Sequence, residues 1–79
     1  MTMTEAPEGQ VMGMRVRALR TRKFWTQEQL AARAGVTSAT IARIERGGLQ
    51  PRLSTLRKLA DALEIEPAEL VGDSSAKPD

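Results

Sequence analysis

Apolar residues recur along this chain at helical intervals, and nowhere do they alternate over the four or more positions that a half-buried strand needs. Met12, Val16 and Leu19 stand at i, i+4 and i+7, which predicts a first helix ending near Lys23. Thr26-Gln27-Glu28-Gln29 reads as a capping box, with Trp25 and Leu30 as the hydrophobic staple around it. The second helix it opens is short, running through Leu30, Ala31 and Ala34 to Gly35, a residue free to take the left-handed conformation that stops a helix. Thr37 then offers a fresh N-cap, with Ile41 and Ile44 facing inward, and the third helix ends at Gly47-Gly48. Leu53, Leu56, Leu59, Ala60 and Leu63 trace the stripe of a fourth helix, and Pro67 starts a brief fifth. The pattern predicts an all-α fold, a compact five-helix bundle over residues 11–71. Residues 1–10 are expected to be a flexible arm and residues 72–79 a flexible tail.

At 79 residues the chain has room for one core, not two. It has no Cys and no His, which excludes disulfides, Cys/His zinc sites, thiol nucleophiles and a Ser-His-Asp triad. No enzyme activity, no cofactor and no metal are expected. There is no run of 18 apolar residues and no basic stretch leading into an apolar signal segment, so a soluble protein of the cytoplasm, nucleoid-associated, with no membrane partner is the expectation.

The net charge of +2 conceals a strong division along the chain. Residues 11–58 carry eleven Arg or Lys against Glu28 and Glu45, whereas residues 59–79 carry six acids against Lys77. Nine of the eleven cations are Arg, whose planar fork matches phosphate and guanine, so a polyanion is the partner to expect.

The informative feature is the joint between the second and third helices. Two short helices packed steeply across a turn of two or three residues require a small residue, Ala31, and one that tolerates positive φ, Gly35. Leu30, Val36, Ile41 and Ile44 anchor the pair. The outer face of the third helix is left with Ser38, Ala39, Ala42, Arg43 and Arg46, a surface that fits a DNA major groove.

From Val16 to Leu70 the sequence resembles the lambda-repressor/Cro-like (xenobiotic-response-element) helix-turn-helix family. The matching pieces are Leu19-Arg20, Thr26 to Ala31, Gly35-Val36-Thr37, Thr40 to Gly47, Pro51 and Leu56…Leu59-Ala60…Leu63. The resemblance implies that Gln27 clamps a phosphate, that Thr37, Ser38, Ala39 and Arg43 approach the groove, and that Thr40 and Arg52 touch the sugar-phosphate backbone. It also implies that Arg20 and Glu45 form a structural ion pair. Among the groove residues only Arg43 has the bidentate geometry to read guanine, worth about 1–3 kcal/mol; Ser38 and Ala39 discriminate weakly. Arg15, Arg17, Arg22 and Lys23 are assigned to electrostatic steering.

Two positions depart from the family pattern. Phe24 and Glu64 stand where glycine commonly follows the first and fourth helices, and a left-handed non-Gly residue costs about 1–2 kcal/mol, so these ends are expected to close differently. Arg52 replaces the usual small cap of the fourth helix. The function implied is that of a sequence-specific transcriptional regulator, a repressor or autoregulator, binding operator DNA as a homodimer on half-sites about 34 Å apart. Leu63, Ile65, Leu70 and Val71 are the candidate dimer interface. The alternative is an antitoxin or bridging module whose main partner is another protein.

Overall fold

The computed structural model describes the backbone of residues 8–71 and the side chains of residues 11–71. Over that span there are five helices and no strand: α1 (Glu8–Arg22), α2 (Gln27–Ala34), α3 (Ser38–Glu45), α4 (Leu53–Leu63) and α5 (Pro67–Val71). The chain is all-α, as the periodicity predicts. One boundary is corrected: Glu8, Gly9 and Gln10 belong to α1 and not to an arm. Apolar spacing cannot reveal this turn, because a helix nucleated further along extends by backbone hydrogen bonding alone. The rest of the expected arm, residues 1–7, and the expected tail, residues 72–79, lie outside the described residues.

The core is built from Met12 and Val16 of α1, Leu30, Ala31 and Ala34 of α2, Ile41 and Ile44 of α3, Leu56, Leu59, Ala60 and Leu63 of α4, and Leu70 of α5. α2 packs on α3 and α4, α1 on α3 and α5, and α4 on α5. The α4 stripe is one residue shorter than predicted, since Leu53 is 58% exposed. Helical side chains lean toward the N-terminus, so the first residue of α4 projects past the end of its helix, where no element among the described residues covers it.

The ends of the first four helices close in the same way. In each, a left-handed residue is followed by an amide that donates five residues back: Trp25 to Arg20 at 3.2 Å, Val36 to Ala31 at 3.0 Å, Gly48 to Arg43 at 3.0 Å and Ile65 to Ala60 at 2.9 Å. The left-handed residues are Phe24 (φ 60°), Gly35 (74°), Gly47 (81°) and Glu64 (62°). Phe24 and Glu64 therefore close as glycine would, contrary to expectation. What holds them there is the residue that follows: Trp25 and Ile65, like Val36, pack against the core, and that burial fixes the chain's exit direction.

One close approach governs where α1 sits. A Cβ placed on Gly13 would fall 2.3 Å from the Ile44 carbonyl oxygen and 2.7 Å from that of Glu45. The backbone of α1 thus lies directly against the C-terminal turn of α3.

Candidate nucleic-acid interface

The second and third helices are set by their caps. At the entry to α2 the Thr26 hydroxyl accepts from the Gln29 amide at 3.0 Å, and the Gln29 side-chain carbonyl accepts from the Thr26 amide at 2.8 Å. Gly35 ends α2, and two residues later Thr37 caps α3, its Oγ1 accepting from the Thr40 amide at 3.1 Å. The Thr37 and Thr40 hydroxyls also bond each other at 2.9 Å, so Thr37 is a cap first. Ser38 and Thr40 are half-buried beside this cap.

Within α3, Ile41 and Ile44 are fully buried, which turns Ala39 and Arg43 outward to solvent, one turn apart, with Arg46 on the same side just beyond the helix. Among the described residues, Arg43, Arg46 and Arg52 form no ion pair. Arg52 occupies the N-cap position of α4 in extended conformation, and its side chain makes no capping bond. The face presents cationic groups that the fold itself does not employ.

Beneath this face sits a connected polar cluster. Arg20 Nε donates to Glu45 Oε2 at 2.6 Å and Arg20 Nη2 to Glu45 Oε1 at 3.0 Å, a two-point contact between α1 and the last residue of α3. Both side chains are largely withdrawn from water, at 12% and 5% exposure. The hydrogen bond to Glu45 raises the Arg20 pKa above its ordinary value against the opposing effect of burial, and the carboxylate charge adds to it. Arg20 Nη1 donates in addition to the Trp25 carbonyl at 2.8 Å. Gln27, the first residue of α2, completes the cluster by donating from Nε2 to Glu45 Oε1 at 3.0 Å.

Sequence reasoning misses that last bond and also the surroundings of Trp25. The indole lies under the Arg33 guanidinium, 4.4 Å from the ring centroid, and Lys23 Nζ stands 5.3 Å from it. Lys23 Nζ also reaches Glu64 Oε1 at 3.4 Å, linking the residues that follow α1 and α4 across an exposed pair. Arg15, Arg17 and Arg22 remain exposed. Paired spacing on one helix reveals none of these contacts, because none joins two residues of the same helix.

The nominated dimer surface needs correction. Leu63 (2% exposed) and Leu70 (0%) are core residues that close the bundle between α4 and α5. Ile65 is half-buried and Val71 is 38% exposed, so only these two reach the surface. Ile65 also lines an open groove of about 400 Å³, together with Arg57, Lys58, Asp61, Glu66 and Pro67 among others. Among the described residues no helix is long and apolar enough to cross a membrane.

Comparison with known proteins gives a consistent picture. A helix-turn-helix family model matches residues 16–70. The immunity repressor protein of Bacillus phage phi105 is 39% identical over 64 residues, covering 81% of this chain and 44% of that protein. The chain thus spans less than half of the phage repressor's length. Among solved structures, the restriction-modification controller protein C.AhdI from Aeromonas hydrophila superposes with a TM-score of 0.77 at 41% identity, covering 80% of this chain and 96% of that one. The P22 c2 repressor, crystallised in complex with a synthetic operator, gives 0.74 at 34% identity, covering 77% and 92%. With the match extending from the middle of α1 into α5, the chain belongs to the helix-turn-helix (HTH_3) family, the lambda-repressor/Cro-like group of transcriptional regulators.

Proposed function

We infer that this chain binds duplex DNA with α3 in the major groove and regulates transcription, as a repressor or autoregulator, in the cytoplasm at the nucleoid. The observation that carries the reading is the α3 face itself. Its inner side is wholly committed to the core through Ile41 and Ile44, while Ala39, Arg43 and Arg46 stand exposed with no ion pair among the described residues. The amide end of α2, opened by Gln27 next to this face, suits a phosphate and would fix the register of the helix on the duplex. The likeness to the P22 repressor, whose structure was solved on an operator, supports DNA as the partner.

Base reading is assigned chiefly to Arg43, bidentate to one guanine per half-site. Thr37, Ser38 and Ala39 supply contacts of low discrimination, and Gln27, Thr40, Arg46 and Arg52 contact the backbone. Because one unit reads so few bases, a homodimer on inverted half-sites is the working form, with Ile65, Val71 and the α4–α5 groove as its surface.

The test is selection of bound duplexes from a random pool, repeated with Arg43→Ala, together with affinity at two salt concentrations. The expected outcome is a steep loss of affinity with salt, and loss of preference at one guanine per half-site in the variant. Affinity that scarcely moves with salt would remove the reading. Equal weakening on every duplex would transfer Arg43 to the phosphates.

A further inference from the structure

We propose that Glu45 is a positioning residue for DNA binding: it holds the Gln27 side-chain amide in one orientation so that the amide's remaining N–H is presented to a phosphate before DNA arrives. The inference rests on the proposed DNA-binding reading and adds to it how the clamp is prepared.

The atoms dictate the orientation. Glu45 faces a guanidinium through both oxygens, at 2.6 Å and 3.0 Å, so it is an ionised carboxylate that only accepts. The Gln27 group turned toward it must therefore be the amino end, and Nε2 lies 3.0 Å from Oε1. A primary amide has two N–H bonds in one plane, about 120° apart at the planar nitrogen. With one given to Glu45, the other and the carbonyl have fixed directions.

This bond is surplus to the fold's own needs. Arg20 already supplies a donor to each Glu45 oxygen, and the capping of α2 is done by Thr26 and Gln29, not by Gln27. What the extra bond does achieve is to tie the first side chain of α2 to the last residue of α3. Arg20 acts on the same place from the other side, since its Nη1 holds the Trp25 carbonyl just ahead of the α2 cap. Phosphate clamp and reading helix are thereby fixed relative to each other by side chains as well as by the turn between them. A glutamine ordered in the free protein does not have to be ordered on binding, which corresponds to about 3- to 10-fold in Kd.

The experiment is a double-mutant cycle on the full chain with a short mixed-sequence duplex at one fixed salt concentration, using Gln27→Ala, Glu45→Gln and the double variant. Each single change is expected to weaken binding by about 3- to 10-fold, and the double variant to be no weaker than the worse single one. Independent losses that multiply in the double variant would show Glu45 acting through the fold alone and overturn the proposal. Gln27→Ala binding as wild type does would overturn it too, yet leave DNA binding by α3 standing; a wild-type chain that binds no duplex removes the parent reading instead. Should Glu45→Gln fail to fold, the side-chain NH₂ resonances of wild-type Gln27 decide. They are expected to be rigid in the free protein, with one hydrogen shifting on DNA addition; mobility equal to that of exposed Gln50 would overturn the proposal.

Discussion

Replacing Gly13 with alanine adds one methyl group at a point where two backbones already touch. On the present backbone the new Cβ would fall 2.3 Å from the Ile44 carbonyl oxygen and 2.7 Å from that of Glu45. Close carbon–oxygen contacts in folded proteins run at about 3.3–3.6 Å, so α1 and the end of α3 must separate by roughly 1 Å. No rotamer relieves this, because the obstacles are backbone atoms. Overpacking of this kind costs about 1–3 kcal/mol, and a gap of that width forfeits a quarter to a half of each van der Waals contact across the seam. Alanine's higher helix propensity returns about 1 kcal/mol. With about 1 kcal/mol of forfeited contacts cancelling that return, the net expectation is destabilisation of about 1–3 kcal/mol, or a fall in Tm of roughly 4–24 °C for a domain of this size. Two other glycines provide the comparison in the same thermal melts. At Gly35 an added methyl would have no heavy atom within 4 Å but φ is +74°, so Gly35→Ala should lose about 1 kcal/mol from conformation alone. At Gly48 the nearest atom is the Arg43 carbonyl oxygen at 3.8 Å, and Gly48→Ala should stay within about 0.5 kcal/mol of wild type. A Gly13→Ala protein that melts at or above the wild-type temperature would refute the close approach of α1 to α3.

Phe24→Gly should raise Tm by a few degrees, since the ring is 91% exposed and its left-handed backbone (φ 60°) carries strain of about 1–2 kcal/mol, part of which the freer unfolded chain of glycine offsets. A lower Tm would mean that the ring is packed. Arg20→Ala leaves Glu45, 5% exposed, without its ion-pair partner and should cost about 3–5 kcal/mol by urea denaturation; a loss under about 1 kcal/mol would show that the pair is solvated. Because folding raises the Arg20 pKa above its already high ordinary value, its contribution is fully present below that ordinary value and is lost only as pH rises through the folded one. The difference between wild type and Arg20→Ala should accordingly be flat from about pH 7 to about pH 10 in the same titrations.

Local rules read the helices well and their ends less well. The boundaries of α2 and α3 are legible because the signals are chemical and adjacent: Thr26 with Gln29 across one turn, Gly35 where a positive φ is needed, Thr37 with the Thr40 amide. The start of α1 is not, since Glu8, Gly9 and Gln10 add a turn without adding an apolar residue. The ends at Phe24 and Glu64 escape local rules for a different reason. Their residue types argue against the left-handed region, but the decision is made one position later, by the burial of Trp25 and Ile65. Leu63 and Leu70 can be nominated for a partner because an apolar residue at the end of a helix looks the same whether it closes a core or meets a second chain; the stripe that Leu63 continues is the better guide, since both are buried.

The cluster around Glu45 shows where reading along the chain stops being sufficient. Arg20, Gln27 and Glu45 lie on three helices, the members of the ion pair 25 positions apart and glutamine and glutamate 18 apart, so no helical or strand period relates them. Family resemblance supplies the pair, and supplies Gln27 as a separate DNA contact, but not the bond between them. Gly13 lets α1 settle onto the end of α3, where Arg20 meets Glu45, and the same Glu45 Oε1 that accepts from Arg20 also accepts from Gln27 at the α2 entry. A glycine in mid-helix weakens the helix by about 1 kcal/mol, so its presence there already signals a close approach, although the sequence does not say to what. It follows that Gly13→Ala should disturb two things in proportion: stability, and the order of the Gln27 amide. If the melting temperature falls while the Gln27 NH₂ resonances stay as rigid as in wild type, the α1–α3 seam and the α2 entry are mechanically separate, and the chain of contacts from Gly13 to Gln27 does not transmit the displacement.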